Sequence, residues 1–409
     1  MRRLGRLVLN LSATGVLVAV FTVLLATLTV DLPAGPAGPR SAGEWVGPVH
    51  AHTVASHDGG GTRAQVGEAA AELGFDFVLV SEHNSGVSDA VEEGSVLLVV
   101  GEEASTGAGH LVVYGAGDGW RDHDDRSLRD ARTTLDLARA GGSGGLRRPE
   151  GSIVILSHPT GPNRWKEPEI REVDGLEIWN ADMEWRAGDG FFDWLYALGS
   201  IPFRSEAALA HLLDRPDEAL AWWDDLLRDG PRMGLCAVDA HARIDITDTW
   251  FVRLPSYRQV FALAQQHILV GRGRSADPRA DALAILDALV QGRSYCAFGM
   301  LADGSGLKME VSAGSRRAGL GDSVPWSEGS TLQVELPPAG ESARTVLMMD
   351  GEQVDEAEGR TMSFQLPGPG TYRLETFLPR PGLLRRGWAP WILTNPVYLA
   401  GPTASGAIP

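Results

Sequence analysis

Along residues 45–299 the apolar and polar positions separate short buried strands from helical segments. Short, largely apolar runs at 75–80, 95–100, 110–114, 153–156, 175–179 and 235–238 have the length of strands covered on both faces. Helical spacing occupies 62–73, 125–140, 217–228 and 280–290. The first of these opens on Thr62 with Gln65 three residues on, a capping-box signature, and Gly74 is placed to end it. Strands and helices taking turns over this length predict a largely parallel sheet, either open or closed into a barrel. The Gly-rich stretch 141–150 reads as a surface loop inside the same unit. After residue 299 the pattern changes to short strands at 307–311, 331–336, 345–349, 361–366 and 371–377, with Asp350-Gly351 as a hairpin turn and no intervening helix. That portion predicts a small β-sandwich.

Ahead of both lies an uncharged run, 7–30, preceded by Arg2, Arg3 and Arg6. It is long enough to cross a bilayer, and the positive flank would leave the bulk of the chain outside the cytoplasm. A cleaved signal peptide, with small residues at 34–37, is the alternative. The expected organisation is therefore a membrane anchor (1–30), a Pro/Ala/Gly-rich linker (31–44), an α/β barrel (45–300) and a β-sandwich (301–409).

Charge narrows the partners. The 409 residues carry a formal net charge of -17, which argues against a nucleic-acid-binding surface. Any positive charge in an anion site would have to come chiefly from bound cations. The two cysteines, Cys236 and Cys296, exclude a cysteine metal cage. They are either two small buried hydrophobes or, in an exported domain, one bridge.

The candidate chemistry is carried by histidines. His50 and His52 are separated by one residue, and on an extended backbone such a pair points the same way. His83, Glu102, Glu103, His158, Asp239 and His241 each follow one of the apolar runs, so a barrel would gather them at one end. His110 departs from the pattern by heading its strand. With Asp58, this makes a set of His50, His52, Asp58, His83, Glu103, His110, His158, Asp239 and His241, too many for one ion. It suits two or three divalent ions, with imidazole favouring Zn, Mn or Fe. Clustered ions imply hydrolysis of a phosphoryl or carbonyl substrate. Arg63, Arg164, Lys166 and Arg243 are candidates for a phosphate contact.

In order and spacing, Val49-His50-Ala51-His52-Thr53, Ser56-His57-Asp58-Gly59, Ser81-Glu82-His83-Asn84, Gly101-Glu102-Glu103, Gly109-His110, Ser157-His158-Pro159 and Val238-Asp239-Ala240-His241 resemble the PHP (polymerase and histidinol phosphatase) family. Residues 174–180 and 394–399 are most similar to its carbaryl-hydrolase branch. The resemblance implies a distorted (β/α)7 TIM-like barrel. It also implies three ions, held by His50, His52, Asp239 and Glu103; by Glu103, His110 and His158; and by Asp58, His83 and His241. His57, beside Asp58, is the alternative ligand there. Glu103 rather than Glu102 is implied as the bridge. From the chemistry of such a site, His241 or a metal-bound hydroxide is expected as the general base and His158 as the proton donor to the leaving group. The implied activity is a phosphoesterase acting on a small molecule, with amide, ester or carbamate hydrolysis as the alternative. A third reading is a cell-surface binding protein in which Trp326, Trp388 and Trp391 form a sugar platform on a degenerate barrel.

Overall fold

The computed structural model describes residues 15–18, 20–21, 38–120, 130–187, 213–247, 250–253, 255–380 and 387–401. The expected anchor over 7–30 lies outside these apart from 15–18 and 20–21, which are helical and exposed. Among the described residues no helix is long and apolar enough to cross a membrane.

Seven strands close into a barrel: β1 (Val49–Ala51), β2 (Phe77–His83), β3 (Val96–Ser105), β4 (His110–Tyr114), β5 (Ile153–Ser157), β6 (Gly175–Asn180) and β7 (Met233–Ala240). Each pairs with the next in sequence, and β7 returns to β1. All pairings are parallel except those of β4, which runs antiparallel to both β3 and β5. This reversal explains the one residue that broke the sequence pattern. The N-terminus of β4 lies at the same end of the barrel as the C-termini of its neighbours, so His110 joins the others by heading its strand.

Side chains alternate across each strand, and the inward set changes character along the barrel. Phe77, Leu79, Leu97, Val99, Val112, Tyr114, Ile153, Ile155, Met233 and Leu235 form one buried cluster. Ile285, Leu286 and Leu289 of helix Pro278–Val290 complete it. Further along the same inward faces come Ser81, His83, Glu103, Ser157 and Glu177. One end of the barrel is thus a hydrophobic plug and the other a polar basin. Gly101 is required in this lining: a Cβ there would meet the ring of Tyr114 and the Val113 carbonyl.

The other core lies outside the barrel and continues into the C-terminal region, joining Val78, Leu98, Val113, Leu156 and Ile178 to Leu332, Phe364, Leu374 and Trp391. A four-stranded sheet and a nine-stranded sheet make up that region. The larger sheet takes strands from both sides of residue 300, since Glu44–Gly47, Gln265–Leu269 and Ser294–Ala297 pair in series with Trp388–Thr394. Asn395 ties it to the barrel, accepting from Gly234 N at 2.8 Å and donating to Gly234 O at 3.1 Å. Cys236 of β7 and Cys296 form a disulfide, both fully buried.

Several expected elements are corrected. The helix expected over 125–140 starts at Ala131, capped by Asp130; residues 121–129 lie outside the described ones. The expected loop 141–150 contains a strand, Gly144–Arg147, paired with Ala116–Asp118. Strand Glu352–Glu358 was not legible because it is an edge strand exposed on both faces, and so lacks any apolar alternation. Trp391 is fully buried with its Nε1 donating to Ala302 O, so it cannot form part of an exposed sugar platform.

The bridge yields a direct test. Thiol titration of the denatured, unreduced protein is expected to find no free thiol, and the Cys236→Ala/Cys296→Ala variant to lose roughly 2–4 kcal/mol of unfolding free energy in urea. Two titratable thiols in the unreduced protein would refute the pairing.

Candidate metal centre

Three ligand-bearing strands depart from regular geometry at the ligand itself. The pairing register shifts between Val49 and Ala51 on β1 and between Ala237 and Ala240 on β7. His50, His158 and Asp239 have φ values of 69°, 28° and 47°. A non-glycine residue in the left-handed region costs about 1–3 kcal/mol and persists only where its surroundings enforce it. Such irregularities re-aim side chains. The strand argument for the His50/His52 pair therefore needs correction: β1 ends at Ala51, and it is the bend at His50 that directs both rings inward. Their Nε2 atoms lie 2.9 Å apart.

Glu103 is the hub, buried to 1% exposure. Its Oε2 lies 3.1 Å from His50 Nε2, and 3.3 Å from both His52 Nε2 and His83 Nδ1. Its Oε1 lies 2.8 Å from His110 Nδ1 and 3.0 Å from His158 Nε2. Asp239 Oδ1 is 3.4 Å from His50 Nε2 and 3.2 Å from His52 Nε2. Asp58 Oδ2 is 3.3 Å from both His83 Nε2 and His241 Nε2. All nine expected side chains thus converge in one basin. His50, His52 and Glu103 stand as a group of mutually close donor atoms, as do His83, Glu103 and His110, and His52, Asp58, His83 and His241. His57 is 76% exposed and 3.6 Å from Asp58; it joins none of these groups, so it is Asp58 that the fold brings in. Glu102, adjacent to Glu103, belongs to none of them either.

Hydrogen bonds on the far nitrogens decide which ring atoms face the basin. His50 Nδ1 lies 2.5 Å from Glu177 Oε1, and an ionised carboxylate only accepts, so Nδ1 carries a proton and Nε2 is the nitrogen left to face a cation. His241 Nδ1 donates to the Asp239 carbonyl at 3.0 Å, leaving Nε2 for the site. Ser56 Oγ donates to Glu82 Oε2 and accepts from His83 N, so it accepts from His52 Nδ1 as well. Glu82 also accepts from Thr53 N and Oγ1 and thereby holds the loop bearing Asp58. Second-layer partners of this kind set ligand tautomers. Sequence reading did not assign Ser56, Glu82 or Glu177 any role. The signal available for Glu177 was an acid inside an apolar strand, at the same inward parity as the other site residues.

The donor set fits divalent cations. The Nε2 atoms of His50 and His52 face each other and two carboxylates, and Asp58 Oδ1, Asp239 Oδ1, His83 Nδ1 and His158 Nδ1 are buried without a hydrogen-bond partner among the described residues. Such an arrangement calls for positive charge. Burial alone would raise the Glu103 and Asp239 carboxyls, but the imidazoles, His50 foremost, hold both well below the usual carboxylate range. Burial would lower His158 and His241, yet contact with Glu103 and Asp58 respectively lifts each to about 9. Burial prevails at His83, which is lowered. Of the four candidate phosphate contacts, Arg243 donates to the His57 carbonyl and pairs with Asp245, at the rim; Arg164 and Lys166 are exposed and Arg63 is half-buried.

The sequence matches no protein-family model and no curated protein. Among solved structures it is similar to a two-domain protein from Bacteroides vulgatus containing a predicted PHP-like metal-dependent phosphoesterase, at 13% identity and a TM-score of 0.38, over 88% of this chain and 98% of that one. It is also similar to a candidate metal-dependent phosphoesterase from Bifidobacterium adolescentis, at 14% identity and a TM-score of 0.27, over 47% of this chain and 87% of that one. Likeness at this level carries no argument, and the chemistry rests on the geometry above.

The ring protons set a pH dependence. His158 and His241 titrate near 9 in the ion-free protein, above the ordinary imidazole value of about 6.5. Their contribution to stability is complete below about pH 6.5 and is lost as pH rises through about 9. Divalent ions require the same nitrogens unprotonated. The ion-free protein is thus expected to lose thermal stability across that window and added Mn2+ to restore it. Calorimetry in buffers of different ionisation enthalpy should show protons released on binding; buffer-independent heats would contradict this.

Proposed function

We propose that the chain is a metal-dependent hydrolase of the PHP kind, with a phosphoester as its substrate. The observation that carries the reading is the convergence of six imidazoles and three carboxylates at the polar end of a closed barrel, with second-layer acceptors turning ring lone pairs inward. His50, His52, Asp239 and Glu103 would hold one ion, Glu103, His110 and His158 a second, and Asp58, His83 and His241 a third. When bound, such ions supply Lewis acidity to the scissile centre and to an attacking water.

The protein supplies the rest. With three divalent ions against three carboxylates the basin is net positive, which draws an anionic phosphoester despite the acidic surface. Glu103 faces imidazole nitrogens with both oxygens and fixes the spacing of two of the ligand groups. The His241 ring is partly open to solvent, so it is the proton carrier a water reaches. His158 lies deeper and would return a proton to the leaving group. Hydrolysis of carbamates, suggested by the likeness of 174–180 and 394–399 to the carbaryl-hydrolase branch, is the competing chemistry in the same basin.

The same reading keeps 45–300 as the catalytic unit and 301–409 as its companion, and sets the protein outside the cytoplasm, tethered through 1–30 or secreted. The buried Cys236–Cys296 bridge favours an oxidising compartment.

Elemental analysis of the purified protein is expected to find two or more equivalents of Zn, Mn or Fe. Hydrolysis of bis-p-nitrophenyl phosphate should exceed that of a naphthyl carbamate, stop with chelator and return with metal. His50→Ala should lower kcat/KM by about 100-fold or more. Undiminished activity in folded, metal-free protein would overturn the proposal, and a preference for the carbamate would replace the phosphoester.

A further inference from the structure

Glu177 is a buried carboxylate that the ligand assignment leaves unused. It lies on β6 with its side chain pointing into the barrel and is 2% exposed. Both of its oxygens are committed. Oε1 takes the proton on His50 Nδ1 at 2.5 Å. Oε2 accepts from the main-chain N of His158 at 2.7 Å and from Asn180 Nδ2 at 2.8 Å, and lies 3.3 Å from Ser157 Oγ, whose single proton has the shorter path to Glu103 Oε1 at 3.0 Å. The Asn180 amide also donates to Asp239 Oδ2 at 3.2 Å, while its Oδ1 accepts from Met183 N. One carboxylate therefore reaches His50 directly, His158 through its backbone and Asp239 through Asn180. Asp58, His83 and His241 make no direct bond to it, and His241 is reached only at one further remove, through the Asp239 carbonyl.

The strain in the ligands follows the same division. His50 and His158 both have left-handed φ and are both held by Glu177, as is Asp239 through Asn180. Such backbone positions are kept only where bonds over-determine them. Without an acceptor beside Nδ1, His50 is free to take the other tautomer, placing a proton on Nε2 and removing its lone pair from the basin.

We propose that Glu177 is the positioning residue shared by the first and second ion sites, and that the third site is independent of it. The inference rests on the metal reading above. A carboxylate can accept on two oxygens, whereas an amide accepts on one and donates from the other. The isosteric Glu177→Gln change would therefore keep the volume but turn an NH2 toward either His50 or the donors His158 N and Asn180 Nδ2. Glu177→Ala would release both.

The test is a Mn2+ titration of the full-length, metal-stripped protein, following free Mn2+ by electron paramagnetic resonance, with wild type, E177Q and E177A side by side. Circular dichroism and melting temperature monitor the fold. Wild type is expected to bind two or three ions. E177Q should weaken at least one of them about 10- to 100-fold, E177A should weaken two, and the site formed by Asp58, His83 and His241 should keep its affinity in both. If E177A does not fold, E177Q decides. Equal weakening of every site, or wild-type affinities in folded E177Q, would overturn the inference and leave the proposed function standing. Absence of metal binding by wild type would remove both.

Discussion

Five imidazoles lie within 3.3 Å of the Glu103 carboxylate, which is buried at the polar end of a closed barrel. Removing that much polarity from water is costly unless each group finds a partner. The rest of the structure is arranged to meet this condition. A hydrophobic plug fills the opposite end, so the polar residues are confined to a single basin. Register shifts on β1 and β7 and left-handed φ values at His50, His158 and Asp239 turn side chains toward Glu103 that regular strands would aim elsewhere. The strain is concentrated where the polar groups must meet.

A second layer holds the first. Glu177, Glu82 with Ser56, and the Asp239 carbonyl occupy the outer nitrogens of His50, His52 and His241, and this orders lone pairs as well as ring positions. Buried polar networks of this kind are worthwhile only when nearly every member is satisfied. Among the described residues, Asp58 Oδ1, Asp239 Oδ1, His83 Nδ1 and His158 Nδ1 of the ligand set are buried without a hydrogen-bond partner, as are atoms elsewhere such as Arg232 Nε and His267 Nε2.

The scaffold around the barrel is stiffened on the side of β7. Cys236 is bonded to Cys296, Gly234 is held through both its N–H and its carbonyl by Asn395, and the nine-stranded sheet runs on from these strands into the C-terminal region. Buried Arg373, bonded to Asp224 and Glu375, joins the same sheet to helix Asp217–Leu227. β7 also carries Asp239, and His241 lies just beyond its end. The C-terminal sheet is thereby linked mechanically to two of the nine ligands.

The sequence by itself determined the residue types and their strand-end positions. Apolar runs followed by His, Glu or Asp placed His50, His52, His83, Glu103, His158, Asp239 and His241 at strand ends, because the end of a buried strand is written as the first polar residue after an apolar stretch; His110 and Asp58 lay outside that rule, and the family resemblance gave both a ligand role and preferred Glu103 to Glu102. Three things belonged to the tertiary structure alone. The reversal of β4 made His110 a member, and strand direction leaves no trace in local composition. Asp58 was chosen over the exposed His57 because only the folded loop, held by Glu82, fixes which neighbour turns inward. Glu177 was legible as an acid in an apolar strand, but its link to His50, 127 residues away, exists only once the barrel is closed.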